Sequence, residues 1–172
     1  AKGASGEEHL STAGKGEFAM TAFLLGNTLS KNGTVSRGIC EMKNGYLEKV
    51  TEFTKIYPDG SYEKDGCKYT FASDVPVSMN LWGFTPAYLR EAKARFPKFL
   101  KEEVPKNPAK AEFFLPKIVS ELLEEDKATV QVLRSNAKWF GVTYAADREG
   151  LEGKIREMTE CGLYSSDLWR SL

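Results

Sequence analysis

Apolar residues change their spacing several times along the chain, and each change predicts an element. Residues 17–29, EFAMTAFLLGNTL, are a near-continuous apolar run, too short for a typical helix, and predict a buried strand. Asn32-Gly33 marks a turn. RGICEM and YLEKVTEF then read as two strands joined at Asn44-Gly45. Asn-Gly between such runs signals a hairpin, because both central residues of the favoured turn need positive φ. Pro58-Asp59-Gly60 and Asp65-Gly66 punctuate a surface excursion that predicts a small second hairpin. VPVSMNLWGF is apolar on both alternations and predicts a buried central strand ending at Thr85-Pro86.

Residues 86–102 open with Pro after Thr and space Tyr88, Leu89, Phe96 and Leu100 along one face. They predict an amphipathic helix that Pro97 breaks or kinks, with its Lys and Arg on a solvated face. AEFFLPKIVSELLEED predicts a second helix, with Leu115, Val119, Leu122 and Leu123 at helical spacing. ATVQVLRS alternates as a strand, and KWFGVTY reads as another short one. Asp147 is placed to cap a helix over 148–161 that Gly162 ends. The tail carrying Trp169 is expected to pack back. Residues 1–16 offer almost nothing to bury and read as a linker or loop, leaving 17–172 as the folded unit. The expected fold class is therefore α/β: a mixed sheet with flanking helices.

Composition narrows the function. At 172 residues the chain fits one domain. Lys plus Arg and Asp plus Glu both number 24, so the net charge is zero, which argues against a strongly basic nucleic-acid binder. No run approaches the length of a membrane span, and the first residues lack the apolar stretch of a signal peptide. Three scattered cysteines, Cys40, Cys67 and Cys161, form no disulfide framework or metal motif, so the expected location is cytoplasmic. The single histidine, His9, lies in the polar start, which removes Ser-His-Asp and Cys-His machinery. Chemistry would rest on carboxylates, lysines, backbone amides and a hard metal ion. The chain shows neither a Gly-rich dinucleotide fingerprint nor a P-loop.

Between about Glu17 and Trp169 the sequence resembles the carboxy-terminal part of a bacterial sugar-phosphate nucleotidylyltransferase, a nucleoside-diphosphate-sugar pyrophosphorylase. GTVSRGICEMKNGYLEKVTEFTKI is similar to the segment in which an R-x-G-V-V-E strand, a turn and a second strand lead into E-K-P. VSMNLWGFTP resembles the strand V-x-x-G-I-Y-x-F. AKAEFFLPKIVSELLEEDKATVQVL resembles the E-I-T-D helix and its following strand. KWFGVTYAADREGLEGKI resembles the W-x-D-x-G-T segment and its helix. The resemblance implies an incomplete Rossmann-like domain and transfer of a nucleotidyl group from a nucleoside triphosphate to a sugar 1-phosphate, with release of pyrophosphate. Mg²⁺ would neutralise charge in the complete enzyme, and no magnesium ligand is assignable here. Two departures stand out. The half bearing the Gly-rich triphosphate loop has no counterpart in residues 1–16, and Gly141 stands near the position of the metal-binding Asp of W-x-D. The chain is thus expected to be the sugar-side portion, inactive alone, with a cut sheet edge that a homo-oligomer would cover.

The resemblance assigns substrate contacts residue by residue. Glu52 and Lys55 stand where the family has E-K-P, to bind sugar hydroxyls and phosphate; otherwise they are an exposed strand-end pair. Gly38 would let a ligand approach the backbone, or would mark a bulge. Its neighbour Arg37 could grip a phosphate but reads rather as a surface charge. Asn80, on its own chemistry as a polar residue in a run read as buried, needs hydrogen-bond partners, either a ligand at the strand end or the backbone, and Trp82 reads as core. Glu112 matches the sugar-binding Glu of E-I-T-D and would also favour a helix start. Trp139 reads as a core aromatic, and Thr143 as a ligand contact. Two rivals remain: a non-catalytic sugar-binding or assembly module on the same scaffold, and a complete small enzyme with an unrelated carboxylate site.

Overall fold

The computed structural model describes residues 16–142 and 144–167. Seven strands and three α-helices follow one another in the order β1 (Glu17–Leu24), β2 (Val35–Lys43), β3 (Tyr46–Ile56), β4 (Ser61–Lys64), β5 (Cys67–Thr70), β6 (Pro76–Gly83), α1 (Pro86–Glu102), α2 (Leu115–Glu124), β7 (Thr129–Ser135) and α3 (Asp147–Glu160). Both expected hairpin turns form. Asn44 and Gly45 have φ of 52° and 84°, and Asp65 and Gly66 have 52° and 76°, the double positive φ that a two-residue turn between twisted strands requires.

Five strands close into a mixed barrel in the order β1-β6-β2-β3-β7, while β4 and β5 pair separately. Only β1 and β7 run parallel, over Glu17–Phe23 against Thr129–Ser135. The other ladders are antiparallel. Closure comes from the tip of the β2–β3 hairpin: Tyr46 pairs with Gln131, and the Val132 N–H donates to the Gly45 carbonyl at 2.9 Å. This corrects the expected α/β sheet with flanking helices and its incomplete Rossmann-like architecture. A Rossmann-like sheet needs successive parallel strands linked by helical crossovers, whereas four of these five ladders are antiparallel and the sheet shuts on itself. No cut edge of this five-stranded sheet is left for a second copy to cover.

Strand alternation feeds two cores. Phe18, Met20 and Ala22 of β1, Cys40 of β2, and Val130 and Val132 of β7 join Tyr88 of α1 and Ile118, Val119 and Leu122 of α2. Val35 and Ile39 of β2, Ile56 of β3 and Val77 of β6 pack instead with Leu25, and Phe53 and Phe71 lie against them. Phe18 is 1% exposed and meets Phe84 and Tyr88 edge-on.

Several boundaries differ from expectation. The second helix starts at Leu115, not at Ala111. Pro116 has no N–H to donate to the Glu112 carbonyl, so the turn before it cannot join the helix. Residues 138–142 form no strand. Pro97 sits inside α1 without ending it. α3 ends as expected, with Gly162 at φ 77°. Among the described residues no helix is long and apolar enough to cross a membrane.

Candidate functional site

Register places one polar group above the middle of the sheet. Ala22 pairs with Ser78, Ser78 with Gly38, and Gly38 with Glu52, so four residues form one row across β1, β6, β2 and β3. A Cβ added at Gly38 would stand 2.9 Å from Val50 Cγ2, 3.3 Å from Ser78 Cβ and 3.4 Å from Glu52 Oε2. The bare backbone of Gly38 therefore makes room first for the Val50 side chain, and the Glu52 carboxylate lies beside it at ordinary contact distance. Partial desolvation of its largely exposed side chain pushes the Glu52 carboxyl above the usual carboxylate value, and the Arg37 guanidinium pulls it partly back.

Glu52 lines a groove of about 390 Å³ between β3 and α2. Lys49 and Thr51 share the β3 wall, and Phe114, Pro116, Lys117, Ser120 and Glu124 form the other. The groove thus offers carboxylates, ammonium groups, hydroxyls and one apolar ring face. Phe114 is 54% exposed, although large apolar side chains normally seek burial.

The structure pairs Gly38 with Glu52 across neighbouring strands, and of the expected contacts among the described residues only Glu52 lines the groove. Asn80 lies two residues beyond Ser78, in a bulge where β6 has two more residues than β1 between Met20 and Ala22. It is exposed, with φ at 56°, and its N–H donates to Ser78 Oγ at 3.2 Å. This corrects the expectation of a fully buried strand. Lys55 occupies a second bulge, in β3 between the partners of Val35 and Arg37, at φ 58°. A lysine in left-handed backbone is strained, and such strain clusters at functional sites. Glu112 is exposed and precedes α2 instead of opening it. Lys55, Asn80 and Glu112 do not line the groove itself. Thr143, like Trp169 and His9, lies outside the described residues.

Arg37 departs furthest from its expected surface position: it is 7% exposed. Its Nε donates to Thr28 Oγ1 at 3.0 Å, one terminal nitrogen to the Ser36 carbonyl at 2.7 Å, and the other to the Thr28 carbonyl. Trp139 covers it at 5.3 Å from ring centroid to guanidinium carbon. Burial draws its pKa below the usual arginine value and Glu52 partly restores it, yet a guanidinium stays charged at neutral pH. The signal was present in the sequence. Val35, Arg37 and Ile39 alternate on one face of β2, so an inward Arg37 follows from the period of the strand.

Among the described residues no three His, Cys, Asp or Glu side chains converge as metal ligands. Gly141, at the position where the sequence resemblance would set a metal-binding Asp, brings no carboxylate there. No family model matches the chain, and no curated protein does.

Proposed function

We propose that this chain binds a sugar 1-phosphate in the β3–α2 groove, as the sugar-side portion of a nucleotidyltransferase. The single observation that carries this reading is the Glu52 carboxylate beside the bare backbone of Gly38, at the positions the sequence resemblance gives to sugar contact. A carboxylate accepts hydrogen bonds from neighbouring sugar hydroxyls, and accepting them favours its ionised form. Lys49 and Lys117 supply charge for the phosphate, and the exposed ring of Phe114 suits the apolar face of a pyranose. The bulges at Lys55 and Asn80 re-aim two more polar residues beside the same row of strands. Transfer to the sugar phosphate would require a nucleoside triphosphate held by groups not identified among these residues.

A second reading, an assembly module on the same scaffold, draws on one observation. Leu89, Phe96 and Leu100 of α1 are all exposed, as a docking face would be.

Isothermal titration with glucose 1-phosphate, galactose 1-phosphate and mannose 1-phosphate tests the proposal. At least one should bind, and Glu52→Gln should weaken it about 10-fold or more, the loss expected for hydrogen bonds to a charged group. Absence of binding by all three at millimolar concentration would overturn it, as would binding that Glu52→Gln leaves unchanged.

A further inference from the structure

A second concavity, of about 280 Å³, shares no lining residue with the Glu52 groove. Its walls come from the loop after β1, from Arg37, and from residues within 138–141 and 146–154. Four cations line it: Lys31, Arg37, Lys138 and Lys154. Lys154 is engaged by Glu157, which leaves three that face a ligand more freely. The one carboxylate in the lining, Asp147, accepts from Ser30 Oγ at 3.2 Å, Asn32 Nδ2 at 2.6 Å and the Tyr144 N–H at 2.8 Å. It is committed to tying the two loops together.

Arg37 makes this more than a basic surface. Among the described residues it spends three of its five N–H donors, on Thr28 and Ser36, and none of those acceptors is a carboxylate. A buried guanidinium is normally matched by an anion; Glu52 acts on Arg37 electrostatically but is not among these acceptors. Here its ring-side cover is Trp139, which leaves the remaining donors to the pocket that both residues line.

We infer that this pocket is a second site, sharing no lining residue with the sugar groove, that takes a phosphate-bearing small molecule. A phosphate carries between one and two negative charges near neutral pH and has three acceptor oxygens. It would neutralise the cluster and accept from Arg37, with Lys31 and Lys138 closing over it from the rim. Leu29, Phe140 and Leu151 give the site an apolar wall for the organic part of an ester.

The probe is inorganic pyrophosphate, titrated into the whole chain by calorimetry and by tryptophan fluorescence, since Trp139 lies against Arg37. Sodium chloride at matched ionic strength is the control. Pyrophosphate should bind with a dissociation constant below a millimolar and change the fluorescence, and Trp139→Phe should abolish that change. The double variant Lys31→Gln, Lys138→Gln alters two exposed side chains and should fold as the parent does. It should bind about 10-fold or more weakly, the loss of charge-assisted contacts. Arg37→Met should bind more weakly still, provided circular dichroism shows it folded. Absence of pyrophosphate binding at millimolar concentration overturns the inference. So does equal binding by the Lys31→Gln, Lys138→Gln variant, or a chloride control that reproduces the fluorescence change.

Discussion

Trp139 lies over the guanidinium of Arg37, 5.3 Å from ring centroid to the central carbon, and so joins the segment after β7 to the middle of β2. The Trp139 N–H also donates to the Asn27 carbonyl at 3.0 Å, and Asn27 Nδ2 donates to the Asn136 carbonyl at 3.0 Å. These contacts hold the two loops that frame the phosphate pocket. Arg37→Met would leave the Thr28 carbonyl without its charged donor inside the protein. Urea denaturation should show a loss of about 2–4 kcal/mol. A double-mutant cycle with Trp139→Leu should give a coupling of about 0.5–2 kcal/mol. Strict additivity would mean that the stacking contributes nothing.

Glu52 gives a pH-dependent prediction. Its carboxyl is raised in the folded protein, so the protonated form favours folding and the ionised form opposes it. That contribution is fully present below the unfolded value, about 4.3, and is lost as pH rises through the folded value. Glu52→Gln should therefore be more stable than the parent at pH 7, with the difference shrinking towards pH 4. The effect is small because the side chain is exposed. A residue that costs stability at neutral pH and is needed for sugar-phosphate binding would show the trade-off typical of a functional site.

Gly141 is fixed by its neighbour. A Cβ there would overlap the six-membered ring of Trp139. Gly141→Ala should displace the indole from Arg37 and lower the thermal midpoint by several degrees, about 1–3 kcal/mol for overpacking in a chain of this size. Gly150→Ala, where an added Cβ meets nothing, is the matched control and should be neutral or slightly stabilising.

Asp59 anchors the entry to the β4–β5 hairpin. Its Oδ1 accepts from Ser61 N at 3.0 Å and from Ser61 Oγ at 2.6 Å, and these bonds hold its carboxyl down at about 2. A lowered carboxylate stabilises the fold above its unfolded value near 3.9 and loses that contribution as pH falls towards 2. Asp59→Ala should destabilise the hairpin at neutral pH. Amide exchange of Tyr69 and Phe71 should speed up, and the difference from the parent should fade below about pH 3.

Local structure was legible wherever turn chemistry or period set it. The Asn44-Gly45 and Asp65-Gly66 turns, strands β1 to β3, β6 and β7, and helix α1 all follow from positive-φ residues and apolar spacing. KWFGVTY misled because its aromatic residues serve other ends: Trp139 covers Arg37 and folds over Gly141, while Lys138 lies over Phe140. Barrel closure was hidden because it depends on Tyr46 meeting Gln131, 85 positions along the chain, and local pattern carries no such information. At the site, Gly38 and Glu52 come together through register, which two facing strands and one Asn-Gly turn define. The bulge at Lys55 had no local signal, since lysine seldom takes positive φ, and Asn80, which tolerates it, stands inside an apolar run that reads as one continuous strand.

The most direct test is a ¹⁵N-resolved amide titration of the whole chain with the hexose 1-phosphate that binds best. Glu52, facing α2 across the groove, predicts saturable shifts at Thr51, Glu52, Lys117 and Ser120, lost in Glu52→Gln. Shifts confined to residues outside the groove, or none at millimolar ligand, would contradict sugar-phosphate binding at this site.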